Sequence, residues 1–536
     1  MKPISSFCLL SSLTTAGCSL TANCKTLPGD RDWPSTTIWE SLNSTLNGRL
    51  LAPPPPAAVC HTEQPLHNAS ACPSLREAWT HSAWHSENPV SVMWDQFTNF
   101  SCLPEPSTPC SSRGYPAYVI DASTAEHVRV GINFAKEHNI RLIVKSSGHD
   151  FIGRSVGPGA LSIWTHHLDS IEFHPDQFEL DGSRRLISGN AMTLGGGVEM
   201  YNAYKAADKY NQTLVGGGGK TVACGGFISG GGHSFIAPHY GLAADNVLQM
   251  EVVTPSGHVL TVNEDRHPEL FWALRGGGGS TFGVITKVTM STHPSVKVTS
   301  VNWMIVTDPQ APYLIDVISF VVSKIPYLMD EGLYGGNYVD HSLPNPVAAP
   351  GVLREVGGIM GKNLMLAVDK PNMVEKMFEP INNTLNARWS GNVVLHLKVQ
   401  EHPSFLAWFE INHDSSPVGR SRYLVSRLLD KQTLTGNEPT LRNALKTANE
   451  PNGLLAFFAV AGKGVQNAKP RGGNAVHPAW RLSYVHAVAT AEFPPLNKTA
   501  EQEAIEILDR SFQPLRDLTP NSGSKNKRLT VSMSFN

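Results

Sequence analysis

The chain has 536 residues, more than one ordinary core fills, so two or more lobes or one large α/β body are expected. Hydrophobic residues make up 41% and charged residues 16%, which excludes a chain disordered along its length. Lys plus Arg number 43 against 45 Asp plus Glu, a formal net charge of -2, so nucleic acid is not an expected partner. The sequence holds no apolar run long enough to span a membrane.

Residues 1–22 carry Lys2, an apolar stretch through Phe7, Leu9, Leu10 and Leu13, and small residues around Ala16, Gly17 and Ala22. That order is the pattern of a secretory signal peptide, the plain alternative being a frayed terminus. Cleavage would remove Cys8 and Cys18 from the eight cysteines. Cys24, Cys60, Cys72, Cys102 and Cys110 then fall in a Pro-, Ser- and Asn-rich segment, 23–112, where disulfides help a thin core. Five cysteines cannot all pair among themselves. One stays free or pairs with Cys224 or elsewhere, and the connectivity stays open. No Cys-x-x-Cys occurs, so no metal site is expected. Sequons at Asn43, Asn68, Asn99, Asn211, Asn382 and Asn497 mark glycosylation candidates, and with the cysteines they point to secretion or a secretory-pathway lumen.

Residues 23–112 read as an irregular leader lobe, interrupted by Pro53–Pro56. A regular pattern then begins. Tyr118–Ile120 is a short strand, Ser123 to Glu126 a capping box, Val128, Ile132 and Ala135 one helical face, and Leu142–Val144 a second strand. This is a β-α-β unit, and it leads into the loop Lys145-Ser-Ser-Gly-His-Asp-Phe-Ile-Gly-Arg-Ser155.

Between 195 and 283 stand 19 glycines, where an even spread would place about 8. Sixteen of them fall in blocks at 195–197, 216–219, 225–226, 230–232 and 276–279. Between them Val198–Tyr210 and His267–Arg275 read as helices, and Val247–Val253, Val259–Val262 and Phe282–Met290 as strands. Glycine blocks between regular elements bring backbone close to something large and flat or polyanionic. From about 296, mixed helix and strand, with a strand at Thr299–Val306 and a helix near Leu314–Val322, indicate a second lobe.

Several motifs fail on inspection. Gly219-Lys220-Thr221 resembles the end of a P-loop, but the required earlier glycine is Leu214. No Gly-x-Gly-x-x-Gly or His-Glu-x-x-His is present. Gly153-Arg-Ser-Val-Gly157 matches a serine-hydrolase elbow, yet Gly157-Pro158-Gly159 bars the helix that must follow. The loop around His149 fares better, because successive small residues let backbone N–H groups line a concavity for pyrophosphate.

That loop resembles the flavin-attachment loop of FAD-linked oxidases of the vanillyl-alcohol-oxidase and berberine-bridge-enzyme type. Three further motifs follow in the family's order: Gly225-Gly-Phe-Ile-Ser-Gly-Gly-Gly-His233, Tyr240-Gly-Leu-Ala-Ala-Asp-Asn246, and Phe271-Trp-Ala-Leu-Arg-Gly-Gly-Gly-Gly-Ser-Thr-Phe-Gly-Val-Ile285. The likeness is greatest to secreted fungal oxidases of the isoamyl-alcohol-oxidase and secondary-metabolite groups. It implies an α+β fold: a PCMH-type two-subdomain FAD-binding domain at 113–295, and an α+β substrate domain with an antiparallel sheet at 296–515. It implies FAD bonded covalently through His149. Ser146, Ser147, Gly148 and Asp150 would cradle the pyrophosphate, with Ser155 at the loop's end also on the cofactor. Gly217, Gly218, Gly219, Gly225, Gly226, Ser229, Gly230, Gly231, Gly232, Gly283, Val284 and Ile285 would line the flavin and its ribityl chain.

The second covalent cysteine of berberine-bridge-type enzymes aligns with Gly219, so single attachment is expected and Cys224 is read as a buried thiol. The implied reaction is hydride transfer from a small organic alcohol or metabolite intermediate, with dioxygen as acceptor and hydrogen peroxide as product. No tyrosine among the twelve is singled out as the base. Residues 516–536 depart from the family's C-terminal pattern, an apparent truncation. Alternatives are therefore a catalytically impaired flavin-binding protein and, with a wider groove, a carbohydrate oxidase.

Overall fold

The computed structural model describes residues 24–279, 281–345, 354–368, 372–449 and 454–523. The expected signal peptide and the departing tail beyond 523 lie outside them. Among the described residues no helix is long and apolar enough to cross a membrane.

The β-α-β unit forms the first layer. Strands Leu50–Leu51, Tyr118–Asp121, Leu161–Trp164 and Leu142–Lys145 hydrogen-bond in that order, the last three in parallel. The helix Ala125–Glu137 buries Val128, Ile132 and Ala135 against this sheet. Its N-cap is Thr124, whose hydroxyl accepts from His127 N–H, and Glu126 pairs with Arg129 instead of closing a box on Ser123. Both residue types can cap, and the helix starts at Ala125, which puts Thr124 at the cap.

Residues 24–112 are woven into this layer. Leu50–Leu51 supplies its edge strand, and Trp39 of the helix Thr36–Thr45 stacks on Tyr118 at 4.0 Å. Cys60–Cys72 and Cys102–Cys110 are the disulfides; Cys24 is free and exposed, Cys224 free and buried. Each closes a short loop, worth roughly 2–3 kcal/mol in unfolded-chain entropy.

A second subdomain carries the antiparallel strands Val259–Asn263, Val247–Val253, Val284–Ser291, Ala191–Gly195 and Ile171–His174, in that order. The helices Met200–Asp208 and Cys224–Ser229 pack with it through one cluster that includes Tyr204, Leu214, Ile228 and Val288.

The larger lobe is built on seven antiparallel strands ordered Val394–His402, Val298–Thr307, Glu355–Leu366, Tyr334–Pro344, Leu455–Ala459, Ser483–Glu492 and Arg422–Asp430. One face takes the helices Leu314–Asp330, Met373–Trp389, Glu438–Ala448 and Lys498–Leu518 in the main hydrophobic cluster. The alternation of the strand Leu455–Ala459 sends Phe457 into that cluster and Phe458 to the cluster on the glycine-rich side. Asp245 locks the two halves by a bidentate pair with Arg481 at 2.7 and 2.6 Å.

Asp95 is buried within the leader, 5% exposed, and burial pushes its carboxyl up to about 7. The native state therefore holds a proton that the unfolded chain has released, and stability falls as pH rises from about 4 to 7, then levels. Asp95→Asn is expected to raise Tm at pH 8 and leave it unchanged near pH 4. Calorimetry at both pH values checks this, and equal shifts at the two would refute it.

Candidate functional site

The strand Leu142–Lys145 ends on a fully buried lysine. Lys145 Nζ donates to the carbonyls of His85 at 3.1 Å, Ser86 at 3.4 Å and Ser146 at 3.3 Å. Burial pulls its pKa down to about 7, with Glu199 acting against the shift. His85 is itself fixed, by Ser91 Oγ at one ring nitrogen and the Trp79 carbonyl at the other. The leader helix Ser82–Glu87 is thereby fastened under the loop that follows.

In that loop Ser146 Oγ is buried without a partner, and the N–H groups of Ser147, Gly148 and His149 donate to no acceptor among the described residues. Gly148 has φ 86°, and a side chain there would press on Val92 Cα and the Ser91 carbonyl at 3.2 and 3.3 Å. Only glycine suits that position. Asp150 has a shaping role: its Oδ1 accepts from Ile152 and Arg154 N–H at 2.8 and 2.9 Å and curls the loop back. Arg154 then reaches the Gly279 carbonyl at 2.9 Å, and Ser155 is half-buried behind it.

His149 is the meeting point. Its Nε2 lies 2.7 Å from Thr221 Oγ1, and Thr221 Oγ1 donates to Ser82 Oγ at 2.9 Å. Burial lowers the imidazole to about 4, Asp414 opposing and Lys145 adding to the shift, so the ring is neutral at ordinary pH. Asp414 arrives from the larger lobe, its N–H donating to the Gly218 carbonyl at 2.8 Å. Burial, with the Asp414 charge adding to it, also pushes the phenol of Tyr338 up to about 12. Tyr338 lies on the strand Tyr334–Pro344, edge-on to Phe458 at 5.9 Å. Tyr338 and His149 thus feel the same carboxylate.

The glycines divide by what surrounds them. A Cβ on Gly226 would meet nothing within 4 Å; on Gly231 it would first meet Val476 at 3.6 Å, and on Gly219 Val222 at 3.3 Å. Gly226 and Gly231 border open space, and Gly219 is tighter. On Gly218, Gly225, Gly232 and Gly283 it would strike Phe235 at 2.8 Å, the Gly196 carbonyl at 2.9 Å, Ala243 at 2.6 Å and Val252 at 2.6 Å. These let protein pack on protein. Gly217 is intermediate, 3.3 Å from Phe227, and Gly230 is half-buried beyond the helix end. Ser229 Oγ donates to the carbonyls of Gly225 and Gly226, both at 3.0 Å, and so stays within its helix. The side chains of Val284 and Ile285 belong to hydrophobic clusters. Cys224 Sγ donates to the Gly195 carbonyl at 3.0 Å, and burial raises the thiol to about 12, which leaves it inert.

Three free N–H groups, an orphaned hydroxyl and an open glycine wall fit a dinucleotide carrying a pyrophosphate and a flat ring system. Sequence reasoning missed Lys145, Ser82, Thr221 and Asp414. Lys145 breaks an apolar strand at its last position, which was a usable signal. Thr221 lay in the Gly-Lys-Thr triplet set aside with the P-loop, and Ser82 and Asp414 have no local signature.

Residues 116–263 match the family described as FAD binding domain. The FAD-linked oxidoreductase ZEB1 of Gibberella zeae is 32% identical over 490 residues, 90% of this chain and 80% of that protein. The VAO-type flavoprotein oxidase VAO615 of Thermothelomyces thermophilus is 32% identical, covering 94% of this chain and 85% of its own length. The crystal structure of the VAO-type flavoprotein MtVAO713 from Myceliophthora thermophila superposes with a TM-score of 0.84 at 26% identity, over 94% of this chain and 89% of that one.

Two neighbouring glycines make a test. Gly226→Leu is expected to keep the Tm of the cofactor-free protein and lower FAD occupancy at least about tenfold, worth ~1.4 kcal/mol. Gly225→Ala is expected to lower that Tm, because its methyl would strike the Gly196 carbonyl. Thermal melts and flavin absorbance read both, and a Gly226→Leu protein with full flavin would refute the assignment.

Proposed function

The chain belongs to the VAO-type FAD-linked oxidoreductases, and on that premise we propose that it oxidises a small organic alcohol or secondary-metabolite intermediate with a flavin bonded to His149. The loop 146–149 and the open glycine wall would hold FAD, which would supply the hydride acceptor, with dioxygen as the final acceptor and hydrogen peroxide as product. The carrying observation is His149 itself: neutral, held at Nε2, and set where the cofactor loop, the glycine wall and the larger lobe converge.

Tyr338 orients the substrate. Its phenol stays protonated and donates a hydrogen bond to the substrate oxygen, and the Asp414 carboxylate would take the hydroxyl proton as the hydride leaves. Phe458 beside it keeps the approach apolar. Passage through the secretory pathway is part of the same proposal, supported by the two leader disulfides and by the exposure of Asn68, Asn99, Asn211 and Asn497. Asn43 and Asn382 are half-buried and weaker acceptors.

Acid-denatured protein run on a gel beside His149→Ala is expected to show flavin fluorescence in the parent band and none in the variant. Fluorescence surviving in the variant would move the bond elsewhere. A peroxide assay across alcohols, amines and oligosaccharides is expected to respond to alcohols, and a response to oligosaccharides alone would replace the substrate class. Tyr338→Phe is expected to lower kcat/KM by about 10- to 100-fold with flavin content unchanged, as the loss of one hydrogen bond beside a charge implies.

A further inference from the structure

We propose that Thr221 and Ser82 form a hydroxyl relay that presents Nδ1 of His149 for bonding to the flavin and removes the proton released from Nε2, an inference that rests on the covalent reading above. Thr221 has one hydroxyl proton, and that proton points to Ser82 Oγ at 2.9 Å. Its oxygen therefore meets His149 Nε2, 2.7 Å away, as an acceptor. The N–H is fixed at Nε2, and Nδ1 carries the lone pair.

The surroundings agree with this direction. Thr221 is buried and Ser82 half-buried, so the relay runs from the imidazole outward. The charged groups that act on the ring are Asp414 and Lys145. Burial, aided by the Lys145 charge and opposed by the Asp414 carboxylate, disfavours an imidazolium on balance and so promotes loss of the Nε2 proton. Cys224 offers no competing nucleophile, since its thiol is buried and committed to the Gly195 carbonyl.

Attachment forms one bond, between Nδ1 and the ring methyl carbon. One methyl C–H and the imidazole N–H break, two protons are released, and two electrons pass to dioxygen, giving hydrogen peroxide. The imidazole's share is the Nε2 proton, which moves to Thr221 as Thr221 passes its own to Ser82. Thr221 and Ser82 are positioning residues: they act on the reaction through His149.

The test measures covalent against acid-releasable flavin in parent, Thr221→Val, Thr221→Ser and Ser82→Ala proteins incubated with FAD in aerated buffer. Native absorbance reports total bound flavin and hence folding. Thr221→Val is expected to bind FAD yet attach it at least about tenfold more slowly, with Thr221→Ser restoring most of the rate and Ser82→Ala falling between. Attachment by Thr221→Val at the parental rate would overturn the relay while leaving the His149 bond intact. A parent that binds FAD but attaches none would overturn the covalent reading and the relay with it. If Thr221→Val takes up no FAD, Ser82→Ala decides by the same ratio, and parental attachment there would overturn the proposal.

Discussion

Lys145 carries its ammonium into an interior where, among the described residues, no carboxylate lies in ion-pair range. Three carbonyls take the place of water, two of them from the leader helix and one from the loop itself. An unpaired buried charge costs several kcal/mol, and the depressed pKa is the mark of that cost. The arrangement nonetheless does two things that an apolar residue would not. It ties a segment some sixty positions earlier in sequence to the base of the loop. It also leaves a cationic group under a row of free N–H groups, so that an anion bound by the loop favours the charged lysine and the charged lysine favours the anion.

Glycine serves two opposite ends within one stretch of chain. Gly225 and Gly283 are small so that backbone can lie against backbone, while their neighbour Gly226 is small so that nothing of the protein fills the space beside it. The first kind builds a rigid wall, and the second gives that wall a face. Composition counts both alike, and only the surroundings tell them apart.

The regular parts of the fold were legible because their signals are local. The strand at Tyr118, the helix face of Val128, Ile132 and Ala135, and the hairpin of Val247–Val253 with Val259–Asn263 all follow from periodicity and turn residues. So did the loop at His149. What was not legible is held by contacts distant in sequence: Ser82 to Thr221, Gly218 to Asp414, and Lys145 to the leader. The leader lacks the apolar periodicity that announces a domain, because its buried side chains, such as Trp39, Trp79 and Phe100, join cores built by distant elements instead of forming one of their own. Cysteine spacing was compatible with several pairings, and the fold chooses neighbours 12 and 8 positions apart.

The tether from Asp414 to the glycine segment also imposes a timetable on synthesis. A chain made at about 5–20 residues per second needs roughly 15–50 s to pass from His149 to Asp414. For that interval the parallel layer and the leader can fold, but the wall around the histidine lacks its last fastening. Completion of the cofactor site is therefore a late event on the ribosome, governed by emergence of the far lobe and not by the segment that carries the motif.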